Sequence, residues 1–172
     1  MAEFNQCAGL LSQTDIDFYS AQYREHLANG VDPYSIMLQN QDFLQKELAT
    51  KNWSNIVPSE TLTCGEKVDV LRLQWDYMSD EFRELLTSLG GMSNGKEASA
   101  VWKSWKTRNS EARATDFFEL STSDRVEVMF EMVDMIHFFM NMMATVGVDA
   151  EAQYVLYMIK NKENLRRKGS GY

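Results

Sequence analysis

The chain has 172 residues, a length typical of one domain, and 44% of them are apolar, which is enough for a substantial core. Its formal net charge is −8 at pH 7 and its pI is about 4.8. Nucleic acid and anionic membranes both require a dominant basic face on a binding protein, so this balance argues against either as a direct partner. We therefore expect one globular domain over residues 1–172.

Apolar residues recur every three or four positions, only two prolines are present, and alternating β-type runs are almost absent. This pattern predicts an all-α helical bundle. Residues 1–30 are weakly patterned. Asp32 followed by Pro33 predicts a helix start, with the helix running to about Ala49, and residues 50–64 are expected to form a loop.

The next predicted helix covers about residues 65–89 and carries apolar residues at alternating spacings of three and four. These residues are Val68, Leu71, Trp75, Met78, Phe82, Leu85 and Leu89. The spacing predicts an inward seam of three heptads. A turn at 90–96 follows, and then a short helix from Glu97 to about Arg108, whose Trp102 and Trp105 are expected to lie in the core.

Two more helices are predicted in the C-terminal part of the chain. Ser121 or Ser123 is expected to cap a long helix reaching about Thr145, and Asp149 to cap a last helix that ends in the basic segment KNKENLRRK. The chain has two cysteines, Cys7 and Cys64, which lie far apart and form no CxxC motif, and no signal peptide is recognisable. These features predict free thiols in a cytoplasmic protein.

Residues 128–146 are rich in Met, Phe, Val and Ile, but they do not read as a membrane span. Glu131, Asp134 and His137 lie in mid-segment, and each charged residue there would cost about 2 to 3 kcal/mol in a bilayer. We expect a buried bundle helix instead. Its polar residues recur at helical spacing and predict one polar stripe that lines an internal cleft: Glu131, Asp134, His137 or Asn141, and Thr145.

Two pairs of carboxylates share a spacing of three, Glu81 with Glu84 and Glu131 with Asp134. Acids near a core are unfavourable and repel one another, so facing pairs would require cations. Oxygen ligands favour Mg²⁺, with Mn²⁺ as a substitute, over zinc. Such a site suits metal-assisted displacement at phosphorus, in which one of the glutamates takes a proton from water. The alternative is a set of solvated surface acids.

Two other motifs are set aside. The run Gly90–Lys96 matches G-x-x-x-x-G-K, but Glu97 replaces the required Ser or Thr and a helix, not a strand, precedes it. A di-iron carboxylate bundle would need two Glu-x-x-His pairs, and the chain has only His26 and His137.

Polar residues elsewhere could bind a nucleotide. Gln41 and Gln45 share a helix face and could read the edge of a base, while Trp75 could stack on it. The alternatives are surface glutamines and a core tryptophan. The basic tail could clamp phosphates or be a solvated helix end; its polar residues are Lys160, Asn161, Lys162, Asn164, Arg166 and Arg167.

Five segments, in this order, resemble the dimeric all-α dUTPase family, which is related to the MazG-type nucleotide pyrophosphatases, and within it the branch found in T-even type bacteriophages. They are MLQNQDFLQ, EFRELLTSLG, KEASAVWKSWK, FEMVDMIHFFMN and YMIKNKENLRRKGSGY. The likeness covers nearly the full length and is strongest after residue 80. It implies a homodimer that uses Mg²⁺ to cleave dUTP, and in the phage branch dCTP, to the monophosphate and pyrophosphate.

The resemblance also implies roles for individual residues. The metal ligands would be Glu81, Glu84, Glu131 and Asp134. The residues that read the base and stack on it would be Gln41, Gln45 and Trp75. The residues that close on the phosphates and the sugar would be Lys160, Asn161, Asn164, Arg167 and Tyr172. Lys168 and Gln45 depart from the usual family residues. In phages the activity implies removal of dCTP from the DNA precursor pool, supply of dUMP, and other nucleotide-synthesis enzymes as partners. A broad MazG-type pyrophosphatase and a non-catalytic interaction protein are the alternatives.

Overall fold

The computed structural model describes residues 7–51, 56–90 and 103–169. Within these ranges there are α-helices and single 3₁₀ turns but no strand, which confirms the all-α prediction. The helices are α1 (Gln13–Ala28), α2 (Pro33–Thr50), α3 (Cys64–Leu89), α4 (Ser110–Ala114), α5 (Thr122–Val146) and α6 (Ala150–Gly169). None of the helices in the described part of the chain has the length and apolar character required to cross a bilayer.

The predicted helix starts are confirmed by the capping contacts. The Asp32 carboxylate accepts hydrogen bonds from the backbone N–H groups of Tyr34 and Ser35, at 3.1 and 3.2 Å. Ser121, rather than Ser123, caps α5, and its Oγ accepts from the backbone N–H of Asp124 at 3.0 Å. Asp149 caps α6 by accepting from Ala152 at 2.8 Å. Each cap satisfies a backbone donor that the first helical turn leaves without a partner.

Two parts of the chain differ from the prediction. Helix α1 lies in the weakly patterned N-terminal part and has no buried residue, so it lacks the apolar stripe on which a periodicity argument depends. The helix expected over 97–108 is wrong in its described part, because residues 103–106 form a turn and Thr107–Asn109 a 3₁₀ turn. Residues 91–102, with the rest of the predicted turn, that helix and Trp102, lie outside the described residues. Trp105, expected in the core, is 67% exposed.

The predicted inward seam of α3 is also wrong in three of its seven members. Val68, Trp75 and Phe82 are 52%, 57% and 48% exposed. The buried side of α3 instead carries Val70, Gln74, Leu85 and Ser88. Two of these four residues are polar, so the spacing of apolar residues alone could not predict which face of the helix is buried.

The chain divides into two compact units. The first unit comprises Met1–Arg24 and Arg72–Phe139, and the second comprises Glu25–Leu71 and Met140–Tyr172. Helices α1, α3 and α5 each contribute residues to both. The prediction of a single domain over 1–172 stays a prediction.

Each unit has a few fully buried apolar side chains and specific contacts between its helices. In the first unit, Leu85 and Val126 are buried and the rings of Tyr77 and Phe138 lie 5.4 Å apart, so α3 and α5 pack together there. In the second unit, the ammonium of Lys67 donates to the backbone carbonyl of Thr145 and thereby satisfies an acceptor at the C-terminus of α5.

Two glycines end helices in the left-handed conformation. Gly30 follows α1 with φ of +69°, and Gly147 follows α5 with φ of +72°. After Gly147, the N–H of Val148 donates to the carbonyl of Met143 at 3.0 Å, which is the 6→1 bond of a Schellman motif. This conformation is readily adopted only by glycine.

We predict that Gly147→Ala lowers the free energy of unfolding by about 1 kcal/mol, because a β-carbon is unfavourable at this positive φ. Gly65→Ala is the matched control. Gly65 lies within α3, its added β-carbon would meet no atom closer than 3.9 Å, and it should lose no stability. Urea unfolding of the two variants gives the comparison, and equal stability of Gly147→Ala and wild type would contradict the argument.

Candidate metal centre

Three carboxylates meet in the first unit, where α3 faces α5. Glu81 of α3 and Glu131 and Asp134 of α5 each offer one carboxyl oxygen, and these oxygens lie within 4.8 Å of one another. Glu131 is 5% exposed, while Glu81 and Asp134 are half-buried. We call these three residues the acid trio. The spacing of three along α5 brings Glu131 and Asp134 to the same face of the helix.

Glu84, the fourth predicted ligand, lies beside the acid trio but is not part of it. Its side chain is more exposed than those of the trio. It is close enough to act electrostatically on Glu131 and to be acted on by Asp134. Arg83, between the two α3 glutamates, pairs with Asp80 on the exposed side of the helix.

The environment of the acid trio favours a bound proton. Burial, a hydrogen bond to Glu81 and the charges of the neighbouring carboxylates together raise the pKa of Glu131 to about 8. Burial also raises the pKa of Glu81 and of Glu84. In the shared hydrogen bond Glu131 is the donor and Glu81 the acceptor, since the bond favours the ionised form of Glu81.

One oxygen of the acid trio lacks a donor. No described group donates a hydrogen bond to the buried Oε2 of Glu131. A buried acceptor without a donor is unfavourable, and native structures rarely leave one without a functional reason. A divalent cation would satisfy this oxygen and neutralise the trio together, and oxygen-only ligands select Mg²⁺ or Mn²⁺.

Two residues that the sequence analysis did not single out also face the acids. Glu127 lies one turn before Glu131 on α5 and is 2% exposed. The Cys7 thiol donates a hydrogen bond to Glu127, and burial together with the nearby carboxylates raises the pKa of Cys7 to about 11. The spacing of four between the two α5 glutamates was the available signal for Glu127. The placement of Cys7 depends on tertiary structure alone.

The predicted base-reading glutamines lie in the second unit. Gln41 is 5% exposed, and its amide donates to Oδ1 of Asn141 at 2.9 Å. Asn141 is itself 2% exposed, so both amides of this hydrogen bond are buried. Gln41 is therefore not a surface glutamine, which was the alternative to a base-reading role. Gln45, one turn further along α2, is half-buried.

The other predicted binding residues are not gathered around one point within either unit. Trp75, in the first unit, is 57% exposed. The tail residues of α6, in the second unit, are exposed, and Arg167 donates to Glu163 at 2.9 Å. Tyr172 lies outside the described residues. The exposed tail residues are Lys160, Asn161, Asn164 and Arg167.

Three known proteins align with nearly the whole chain. A dCTP pyrophosphatase of Enterobacteria phage LZ5 is 47% identical and one of Enterobacteria phage T4 is 45% identical, and in both cases the alignment covers all of both chains. A DNA replication protein of phage T4 is 45% identical over 98% of this chain and 43% of its own length. No family model matches the chain. No solved structure matches it either.

Identity of this extent over the full length cannot come from a shared helical architecture alone. It confirms the resemblance noted from the five sequence segments and assigns it to the phage branch. The chain belongs to the dCTP pyrophosphatase family of T-even type bacteriophages.

Proposed function

We propose that this chain is a Mg²⁺-dependent pyrophosphatase that hydrolyses dCTP and dUTP to dCMP and dUMP, and also accepts the diphosphates. The observation that carries the proposal is the acid trio, an oxygen-only cluster that includes a buried acceptor without a hydrogen-bond donor. The names of the full-length relatives support dCTP as a substrate. In a phage-infected cell the enzyme would act in the cytoplasm, remove dCTP from the DNA precursor pool and supply dUMP for thymidylate synthesis.

The residues of the acid trio fit Mg²⁺ or Mn²⁺. All three ligands are carboxylates, their oxygens are close enough to share one ion, and the Oε2 of Glu131 has no competing donor. Glu84 at the edge adds a fourth carboxylate that the solvent can reach. When bound, Mg²⁺ would supply the positive charge that a polyphosphate requires and would acidify a water molecule.

Within this site, proton transfer is assigned to the carboxyl groups of Glu81 and Glu131. Glu81 accepts the hydrogen bond of Glu131, so it is the ionised partner and the better base. We assign it the proton of the attacking water. The water oxygen bonds to one phosphorus, the P–O bond between the α- and β-phosphates breaks, and its electron pair stays with the departing phosphate group.

The basic end of α6 is proposed to stabilise the phosphates. Glu163 accepts from Arg166 at 2.7 Å and from Arg167 at 2.9 Å, so both guanidinium groups are oriented before any substrate arrives. Guanidinium groups bind phosphate oxygens through paired N–H donors. Lys160, Asn161 and Asn164 would add ammonium and amide donors on the same segment.

We also propose that the chain acts as a homodimer. Helix α6 exposes Tyr154, Leu156, Tyr157 and Ile159 by 57% to 66%, and α5 exposes six large apolar side chains by 39% to 54%. Soluble proteins rarely leave apolar patches of this kind uncovered, and symmetric dimers are the commonest way to cover them. Association with other nucleotide-synthesis enzymes of the phage remains an expectation from the resemblance.

Two rival functions lead to different results. A broad MazG-type pyrophosphatase would hydrolyse purine triphosphates at comparable rates. A non-catalytic interaction protein would hydrolyse none of the nucleotides, and its acids would be ordinary surface charges. The burial of Glu131 among other carboxylates favours the catalytic reading, because an interaction surface has no need of it.

We predict pyrophosphate release from dCTP and dUTP, and little from the other seven common ribo- and deoxyribonucleoside triphosphates, with all activity lost in EDTA. Glu81→Gln and Asp134→Asn should lower kcat at least a hundredfold while the circular dichroism spectrum is preserved. The charge-matched control is Glu25→Gln on the exposed surface of α1, which should be fully active. Full activity of either site variant would exclude the catalytic assignment.

We predict a distinctive pH dependence of stability without metal. The pKa of Glu131 is about 8 in the folded chain and about 4.5 for an ordinary glutamate, so the folded state binds more protons between these values. The free energy of unfolding in EDTA should therefore fall as pH rises from 4.5 to 8 and then level off. Urea titrations across this range measure it, and Glu131→Gln should show a smaller slope.

The same proton links metal binding to pH. Mg²⁺ binding should release protons at pH 7, and the Mg²⁺-induced rise in Tm should be larger at pH 8 than at pH 6. Isothermal titration calorimetry in buffers of different ionisation enthalpy counts the protons. A Mg²⁺ effect independent of pH would argue that Glu131 is not a ligand.

The dimer has its own test. Light scattering after size exclusion should give twice the chain mass of 19.8 kDa. Leu156→Lys combined with Ile159→Lys should shift the protein to monomer, because two charges on an apolar interface are strongly unfavourable. A monomeric wild-type protein at micromolar concentration would overturn the proposal.

A further inference from the structure

We infer that a groove between α1 and α5 binds a nucleoside phosphate at a site separate from the acid trio. We call it the α1 groove. It lies within the first unit and has a volume of about 960 Å³. The described residues that line it include none of the carboxylates assigned to the metal, so the inference goes beyond the proposed function.

The lining of the α1 groove has the composition of a small-molecule site. Such sites usually enclose about 300 to 1,000 Å³ and combine apolar and aromatic walls with a few polar groups. The apolar and aromatic side chains here are Leu10, Leu11, Ile16, Tyr19, Tyr23 and Phe130. The polar ones are Asp15, Ser20 and Arg24.

Three aromatic rings line the groove from two helices. Tyr19 and Tyr23 are four residues apart, so they lie on the same face of α1, and they are 62% and 54% exposed. The Tyr19 ring packs edge to face on Phe18 with the ring centroids 5.1 Å apart, which holds its orientation. Phe130 comes from α5. Bases of nucleotides stack on such rings, because each base has a flat π-face. The exposed rings therefore favour a ligand with a flat aromatic group.

Opposite charges lie at the two ends of this stretch of α1. Asp15 and Arg24 are nine residues apart, which corresponds to about 13.5 Å along the helix axis. Arg24 forms no ion pair with any acid in the described part of the chain. A guanidinium group binds phosphate oxygens through paired N–H donors, and the hydroxyl of Ser20, one turn earlier, supplies another donor. The phosphate end of the ligand is therefore assigned to Arg24.

Asp15 determines which base the groove should prefer. Its Oδ2 accepts a hydrogen bond from Ser12 at 2.6 Å, and its backbone N–H donates to the Ser12 hydroxyl at 3.0 Å, so the carboxylate is held at the start of α1. A carboxylate only accepts hydrogen bonds, and its two oxygens accept a pair of neighbouring donors. Among the common bases, guanine presents two adjacent donors on one edge, its ring N–H and its amino group. We therefore expect guanine nucleotides to bind most tightly.

A second copy of the chain is the alternative occupant of the α1 groove. Exposed apolar side chains are often covered by a symmetric dimer contact. Such a contact would use the apolar walls and would not require the guanidinium of Arg24. Arg24→Gln therefore separates the two occupants, because it should weaken a nucleotide and leave a dimer intact.

Isothermal titration calorimetry in EDTA isolates the α1 groove, because the acid trio without metal repels a polyphosphate. Wild type should bind one dGTP per chain, and dTTP and deoxyguanosine should each bind about tenfold more weakly. Arg24→Gln and Tyr23→Ala should each weaken dGTP binding about tenfold. Asp15→Asn should lower the preference for dGTP over dATP. The controls are Arg72→Gln, at an exposed arginine of α3, and Glu81→Gln in the acid trio, and both should bind dGTP like wild type.

Wild-type protein that binds no dGTP in EDTA would overturn the inference, and so would equal dGTP affinity of Arg24→Gln and wild type. A groove covered by a second copy would give no nucleotide binding together with a lower mass of Tyr23→Ala in light scattering, which also overturns it. Tyr23 and Arg24 are exposed, so both variants should fold, and circular dichroism checks this. The proposed function fails separately, through the absence of Mg²⁺-dependent hydrolysis, which this titration does not involve.

Discussion

The repulsion among carboxylates held between α3 and α5 is the constraint on which the rest of the structure depends. Glu131 is buried and its neighbours are acids, and both features raise its pKa, so a proton on this carboxyl group lowers the repulsion in the absence of metal. In the proposed function a cation would replace that proton and relieve the repulsion. The stability of the site and the proposed metal binding would then depend on the same carboxyl groups.

This constraint explains the unusual polarity of α5. The buried residues of this helix are mostly polar, whereas six of its large apolar residues are exposed. Its polar buried members are Asp124, Glu127, Glu131, Asn141 and Thr145, and its exposed apolar members are Met129, Met132, Val133, Ile136, Phe139 and Val146. An ordinary amphipathic helix has the opposite arrangement. One face of the helix is polar and lies toward the acids, while another face is apolar and exposed. Covering the apolar face by a second copy of the chain is the physical basis for the proposed dimer.

The sequence predicted those features that depend on local chemistry. The helix starts at Asp32, Ser121 and Asp149 were predictable because a capping side chain acts on the next few residues. The spacing of Glu131 and Asp134 placed them on one face for the same reason. Helix α1 was missed because none of its residues is buried, so it has no apolar stripe to detect.

The features that depend on contacts between helices were not predictable in the same way. The inner face of α3 includes the polar residues Gln74 and Ser88, so the apolar seam pointed to a neighbouring face. The pairing of Gln41 with Asn141, a hundred residues apart, left no trace in either local pattern. Glu127 looked like any helical glutamate until its burial was known. In each case a polar side chain occupies the interior, and hydrophobic periodicity carries no information about such positions.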